Sequence, residues 1–232
     1  MYGFHQCTKV YEADGDARRI LMGATFTFGP RDRVAILAGG GAGKSTLIRL
    51  MGGLEAPTAG DVHRPPGTSW PIGFAGAFHP ALTGEENVRV LATMLRADPD
   101  RVSAFVAMSA DLGDEYRNAL ASYSSGMRAR LAFAFSMAIP QDFYLADEVV
   151  GAGDGQYRLR SERMLLRRLE TAGLLLVTRN PRIAERFVDQ FAVLHRHRII
   201  RCATIAEARE LLAEQNQGED ELEALTAGLR KS

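Results

Sequence analysis

The sequence predicts an α/β fold whose strand–helix core is preceded by an antiparallel β part and interrupted by a helical stretch. Three observations predict it. A compact apolar strand, Arg33–Ala38, runs into a glycine-rich loop and then into a helical run that begins at Lys44. Residues from about 80 to 139 carry helix-start signals and helical periodicity. From Asp142 onward, strand-like and helical segments alternate again.

Each element has its own signal. Phe4 to Val10 and Ile20 to Phe28 are short β-like runs on either side of the polar stretch Glu12–Arg19, read as a hairpin loop. The helix from Lys44 is stopped by Gly52–Gly53 and Pro57. Thr83-Gly-Glu-Glu86 has capping-box spacing ahead of Val88, Val90, Leu91 and Leu95. Asp98–Pro99 places a cap before a proline at the first helical position and opens a second helix through Phe105 and Met108. A third helix runs from about Ser125 to Ile139 and stops at Pro140. Asp142–Ala146 is strand-like, Arg158–Thr171 helical and Leu174–Thr178 strand-like. Arg182–Val188 is helical, and Phe191–Leu194 and Ile199–Cys202 are strand-like. A charged amphipathic tail begins near Ala203, and Gln215–Gly218 breaks it into two helices.

A chain of 232 residues suits one large α/β domain with an inserted subdomain. Hydrophobic residues at 46% and charged residues at 24% exclude a disordered chain. The 28 basic residues balance the 28 acidic ones, so no nucleic-acid partner is expected. Lys9, Lys44 and Lys231 are the only lysines, which makes one in a chemically meaningful place informative. Cys7 and Cys202 stand at opposite ends without metal-ligand spacing and read as reduced, partly buried thiols. The first nine residues lack the charged start and apolar core of a signal peptide. The longest apolar stretch, Leu131–Ile139, is about half of the ~20 residues a membrane span needs. A cytoplasmic location is therefore expected, with any membrane association made through a partner.

Ala38-Gly39-Gly40-Gly41-Ala42-Gly43-Lys44-Ser45-Thr46 lies between the strand and the helix, where a nucleotide phosphate loop belongs. Glycines let the backbone wrap a phosphate with its N–H groups inward, and the helix N-terminus adds partial positive charge. Lys44 is expected to reach the β- and γ-phosphates, and the Ser45 hydroxyl to ligate Mg²⁺. Alanine at position 38, where the strict pattern has glycine, requires the turn into the loop to keep an ordinary backbone conformation. The plainer alternative is a flexible glycine-rich turn. Further along, the apolar strand Phe143–Ala146 ends in Asp147 and Glu148. Asp147 is expected to hold Mg²⁺ through water and Glu148 to polarise an attacking water. Ser124-Ser125-Gly126 opens the third helix with hydroxyls and free N–H groups suited to a γ-phosphate; taken alone, it is simply a helix cap.

In this order, the phosphate loop, helical insertion, Ser-Ser-Gly-Met, apolar strand and Asp-Glu pair resemble the ATPase of ABC transporters, whose signature is usually Leu-Ser-Gly-Gly-Gln. The resemblance covers residues 1 to about 210. It implies a P-loop NTPase core of ABC ATPase type with an N-terminal antiparallel β part and an inserted α-helical subdomain. The ATPase domain would span 1–210, with the core at 1–79 and 140–202 and the helical subdomain at about 80–139, followed by a helical tail at 203–232. It also implies that Tyr11 stacks on adenine, the alternative being a packing role in the hairpin, and that Asp154 bridges two subunits. ATP and Mg²⁺ are the implied cofactors. The implied partners are a transmembrane permease and a second copy of the chain in an ATP-sandwich homodimer. There each nucleotide would be held by one subunit's Gly39 to Thr46, Asp147 and Glu148, and covered by the other's Ser124, Ser125 and Gly126. Such a subunit is peripheral on the cytoplasmic face of the bacterial inner membrane.

Ser69-Trp-Pro-Ile-Gly-Phe-Ala-Gly-Ala-Phe78, Leu82 to Val88, Ser122 to Ala134 and Asp142 to Val149 look most like the capsular-polysaccharide exporters, with shared phrases in O-antigen and teichoic acid exporters. The expected function is thus ATP hydrolysis coupled to polysaccharide export. The alternatives are a nucleotide-gated interaction subunit with little hydrolysis, or a soluble ATPase attached to no transporter. Besides Ala38, two positions depart from the family. His79 stands where a glutamine normally contacts Mg²⁺ or the lytic water; its alternative is a solvated loop residue. Arg179 stands where a histidine normally contacts the γ-phosphate, and either holds that phosphate itself or swings out to a surface carboxylate.

Overall fold

The computed structural model describes residues 1–13, 16–148, 150–153 and 155–214. Two sheets share one core. The smaller, antiparallel sheet has the order β2-β1-β4, from β1 (Tyr2–Ala13), β2 (Asp16–Phe28) and β4 (Ala59–His63). The larger sheet has the order β5-β6-β7-β3-β8-β9. It is built from β3 (Arg33–Leu37), β5 (Thr68–Pro71), β6 (Phe143–Asp147), β7 (Gly173–Thr178), β8 (Gln190–His195) and β9 (Arg198–Cys202). Its first five strands are parallel and β9 closes it antiparallel to β8.

The central strands are buried on both faces, which is why they read as unbroken apolar runs. Alternation along β3 sends Val34 and Ile36 to one cluster and Ala35 and Leu37 to the other. The first face packs on α1 (Lys44–Met51) through Leu47, Ile48, Leu50 and Met51, and on the small sheet through Phe4, Leu21, Phe26 and Phe28. The second packs on α4 (Ser125–Ala138), α5 (Gly155–Arg168), α6 (Pro181–Phe187) and residues 205–214 of the tail.

The helical layer has its own core, formed by α2 (Gly84–Met94), α3 (Pro99–Ser109) and α4 around Val88, Ala92, Val106, Tyr116 and Leu131. The signals read for α2 and α3 are present. Thr83 and Glu86 make a full capping box, and Asp98 accepts the N–H groups of Asp100 and Arg101 ahead of Pro99. Helix α4 is buried continuously from Leu131 to Met137, because Phe133 and Met137 face the sheet while Ala132, Ala134 and Phe135 face the helical layer. The buried Ser136 hydroxyl accepts the Trp70 indole N–H at 3.1 Å and the Gly73 N–H at 3.3 Å, tying α4 to the end of β5.

The structure corrects the sequence reading in three places. The hairpin strands do not stop at Val10 and Ile20: pairing continues to Ala13↔Asp16. Residues 16–19 are exposed, so hydrophobic alternation gives no sign of strand there. Strands β4 and β5 have no counterpart in the reading. Ala-Gly-Asp-Val-His is largely exposed and held by backbone pairing to β1, and Thr-Ser-Trp-Pro is a sheet edge that tolerates its terminal proline. Helix α5 begins at Gly155 rather than Arg158 and ends at Arg168 rather than Thr171. The Gln215–Gly218 break and the second tail helix lie outside the described residues.

Candidate functional site

Strand β3 ends at Leu37 and delivers the chain into the loop 38–43, which turns into α1. Ala38 is fully buried, and its N–H donates to the Thr178 carbonyl at 3.1 Å, fastening the loop's entry to the end of β7. It is not among the residues with positive φ, so the loop enters through a conformation that alanine tolerates. The special conformations fall on Gly41 (φ 70°) and Gly43 (φ 105°). Gly43 is required twice over, since a Cβ there would also stand 2.4 Å from Ile20 Cγ2. Gly40 has open space around its Cα, and Ala42 packs against the core beneath.

Gly43 caps α1 without a side-chain acceptor, and the first helical bond nearby is Leu47 N–H to the Gly43 carbonyl. The N–H groups of the first turn are therefore left for an anion. Lys44 donates to the Gly39 carbonyl at 2.7 Å. Ser45 is exposed at the helix start, while Thr46 is buried. A cavity of about 620 Å³ opens here, lined by Tyr11, Asp16, Arg18, Ile20, Lys44 and Arg49 among others.

Strand β6 brings the two carboxylates to the same end of the sheet. Asp147 closes the strand, half-buried and paired in register with Val177. Glu148 follows with φ 60°, a left-handed conformation that costs a non-glycine residue about 1–3 kcal/mol. Its N–H donates to the Val177 carbonyl at 2.8 Å. Its carboxylate lies 3.3 Å from Lys44 Nζ and 3.9 Å from Arg179 Nε. Lys44 from α1, Glu148 from the end of β6 and Arg179 from the end of β7 thus converge, and the carboxylate nearest Arg179 is that of Glu148 itself. The Arg179 side chain is 73% exposed, free to turn toward a ligand.

The other sequence-predicted residues lie apart. His79 is exposed in the loop before α2. Its N–H donates to Asn87 Oδ1 at 2.7 Å and its Nδ1 accepts the Ala81 N–H at 3.3 Å, so one ring nitrogen is already committed to the turn. Ser124 caps α4, accepting the Met127 N–H at 3.2 Å, with Ser125 exposed beside it and Gly126 half-exposed. Tyr123 is buried beneath them and donates to the Glu115 carbonyl at 2.7 Å. Asp154 lies outside the described residues. Just before it, the Ala152 N–H donates to the buried Ser161 hydroxyl at 2.9 Å, fixing the segment after Glu148 onto α5.

Tyr11 lines the cavity beside Arg18 and Arg49, and Lys9 and Glu55 contact Tyr11 from behind; the sequence reading missed all four. Two had a signal. Lys9 and Tyr11 are two apart on a strand, and Thr46 and Arg49 three apart on a helix, so each pair shares a face. Glu55 had none, because it lies in the turn beyond the Gly52–Gly53 stop. For a divalent cation, the exposed Ser45 hydroxyl and the Asp147 carboxylate are the hard oxygen donors that suit Mg²⁺; the imidazole of His79 suits it less. Among the described residues, no group of three or more histidine, cysteine or acidic side chains is placed to hold a metal by itself.

Known proteins resemble this chain in sequence and in fold. The family pattern described as ABC transporter matches residues 21–151. The ATP-binding protein BexA of Haemophilus influenzae is 38% identical over 186 residues, covering 80% of this chain and 86% of BexA. The capsule polysaccharide export ATP-binding protein CtrD of Neisseria meningitidis serogroup B is 36% identical over 196 residues, 84% of this chain and 91% of CtrD. Among solved structures, the ATP-binding cassette MJ0796, a dimer in a post-hydrolysis state bound to ADP and Pi, superposes with a TM-score of 0.72 at 22% identity, over 86% of this chain and 96% of that one. An ATP-binding subunit of an ABC transporter gives 0.74 at 22% identity, over 93% and 99%. The chain belongs to the ABC transporter family, as an ATP-binding subunit related to those of polysaccharide exporters.

Proposed function

We propose that the chain binds MgATP on the loop Gly39–Thr46 and hydrolyses it as the motor of a transporter that exports a capsular polysaccharide across the inner membrane. The observation that carries this reading is the convergence of Lys44 and Glu148, 3.3 Å apart at the mouth of the phosphate loop. The polysaccharide reading rests on the relatives, whose names include capsule polysaccharide export and polysialic acid transport ATP-binding proteins.

In this mechanism the first-turn amides of α1 and the Lys44 ammonium take the β- and γ-phosphates. Ser45 and Asp147 would hold Mg²⁺, which supplies neutralisation of the charge shared by the β- and γ-phosphates. Glu148 orients the attacking water and accepts its proton. Its strained backbone is held by the Val177 carbonyl and its carboxylate is approached by two cations, which turn to the phosphates when the nucleotide arrives. Ser124, Ser125 and Gly126 sit on the helical layer and serve the nucleotide of a second copy. A homodimer then closes on two MgATP molecules and opens when the γ-phosphate bridge is cut. In both sites Asp154 would contact the second copy, and His79 would signal to a transmembrane permease. Among the described residues no helix is long and apolar enough to cross a membrane.

Size-exclusion chromatography of Glu148→Gln with and without ATP tests the closure. A dimer with ATP and a monomer without it is expected, and a monomer in both would refute it. Turnover by Glu148→Gln is expected to fall about 10²–10⁴-fold below wild type.

A second reading, a nucleotide-gated subunit with little hydrolysis of its own, is favoured by the Arg179–Glu148 approach at 3.9 Å. A guanidinium beside the base carboxylate competes with the attacking water for the same oxygens. Arg179→His is expected to raise the turnover of the isolated protein. Wild-type turnover as fast as that of Arg179→His would remove this reading.

A further inference from the structure

Lys9, Tyr11, Thr46, Arg49 and Glu55 form a cluster beside the phosphate loop, gathered by one loop carboxylate. Glu55 Oε2 accepts the Tyr11 hydroxyl at 2.7 Å and Arg49 Nε at 3.1 Å. Its Oε1 pairs with Lys9 Nζ at 2.7 Å. The Tyr11 hydroxyl in turn accepts from Arg49 Nη2 at 3.1 Å and stands 3.2 Å from Thr46 Oγ1. Lys9 Nζ, also bonded to the Ala56 carbonyl, lies 4.8 Å from the Tyr11 ring centroid, over one face.

A tyrosine on a strand ordinarily keeps two free side-chain torsions. Here three residues, Thr46 and Arg49 of α1 and Glu55 of the following turn, converge on its hydroxyl and a cation covers one face, so the ring has one orientation and one face left to offer. That ring lines the cavity that also contains Lys44, Ser45 and Thr46. Burial alone would raise the Glu55 carboxyl, but hydrogen bonds from Lys9, Tyr11 and Arg49 outweigh it and hold it down at about 2. The carboxylate therefore stays ionised, and the cluster stays assembled, across the physiological range.

We propose that Glu55 is a positioning residue for the nucleobase: it locks Tyr11 through the phenol so that the ring face opposite Lys9 is presented to the base, in register with the phosphate loop through Thr46. This rests on the nucleotide reading above and deepens it. Locking the ring in advance removes an ordering cost that binding would otherwise bear. Stacking on a π-face gives affinity for the base independent of the contacts to the phosphates.

Calorimetric titration of wild type, Glu55→Ala, Tyr11→Phe and the double variant with MgATP and with magnesium tripolyphosphate tests it. The two single variants are expected to weaken MgATP about fivefold each, and the double variant no more than the weaker single one, because both remove the same lock. Tripolyphosphate affinity is expected to stay within about twofold, since it has no base to stack. Equal losses for both ligands, additive losses, or unchanged MgATP affinity would overturn the proposal. Should Glu55→Ala fail to fold, Tyr11→Phe keeps the ring and carries the same comparison of ligands. A wild type that binds tripolyphosphate as tightly as MgATP also overturns it, whereas one that binds neither overturns the nucleotide reading itself.

Discussion

Two helix N-termini carry the candidate chemistry, and they are built in opposite ways. Helix α1 is entered through Gly43 in a left-handed conformation with no side chain on its free amides. Helix α4 is entered through Ser124 in an extended conformation, with its hydroxyl already accepting the Met127 N–H. Around the first stand Lys44, Glu148, Arg179 and the Tyr11 cluster, drawn from five different stretches of chain. The second rests on the buried Tyr123 and presents Ser124 and Ser125 to solvent. One end is an open, cavity-lined half-site with its own cation; the other is a capped, exposed surface of donors. The difference teaches why the proposed active unit needs two copies: each end supplies what the other lacks.

The strongest way to break this comparison is Lys44→Ala. It is expected to weaken MgATP binding by about 100-fold or more in calorimetry, because a charge-assisted contact and the partner of Glu148 are lost together. Gly43→Ala comes next. The Cβ meets Ile20 and the φ of 105° is unfavourable for alanine, so about 2–3 kcal/mol of stability should be lost in denaturant unfolding. Ser124→Ala sharpens the contrast. Loss of the cap should cost about 1 kcal/mol, with ATP-dependent dimer formation weakened while the affinity of the monomer for MgATP is kept. Equal damage to both would show that the two ends are not separate.

The smallest effect is on acid stability. The Glu55 carboxyl titrates at about 2 when folded and near its ordinary value when unfolded, so its contribution is complete above about 4.5 and lost as the pH falls toward 2. Wild type should lose more stability than Glu55→Gln across that window in denaturant melts.

Much of this was legible in the chain itself. The strand–glycine loop–helix order located Lys44 and Ser45, because that pattern depends on local backbone freedom and one helix start. The capping box at Thr83 and the Asp98–Pro99 start were legible for the same reason: their bonds close within three residues. The adjacent Asp147 and Glu148 were marked by the apolar strand before them. The edge strands β4 and β5 were not legible, since backbone pairing to a neighbour leaves little trace in side-chain pattern.

What the sequence by itself determined is therefore local: which glycines can turn, which residues cap a helix, and which strands are buried on both faces. Only the tertiary structure decided which carboxylate met which cation. Arg179 approaches Glu148 because β6 and β7 are neighbours in the sheet, and Glu55 collects Lys9, Tyr11 and Arg49 because the end of β1 meets α1 beside the turn that carries Glu55. Such pairings join residues far apart in the chain through hydrogen bonds and charge, and neither follows from the period of any one element.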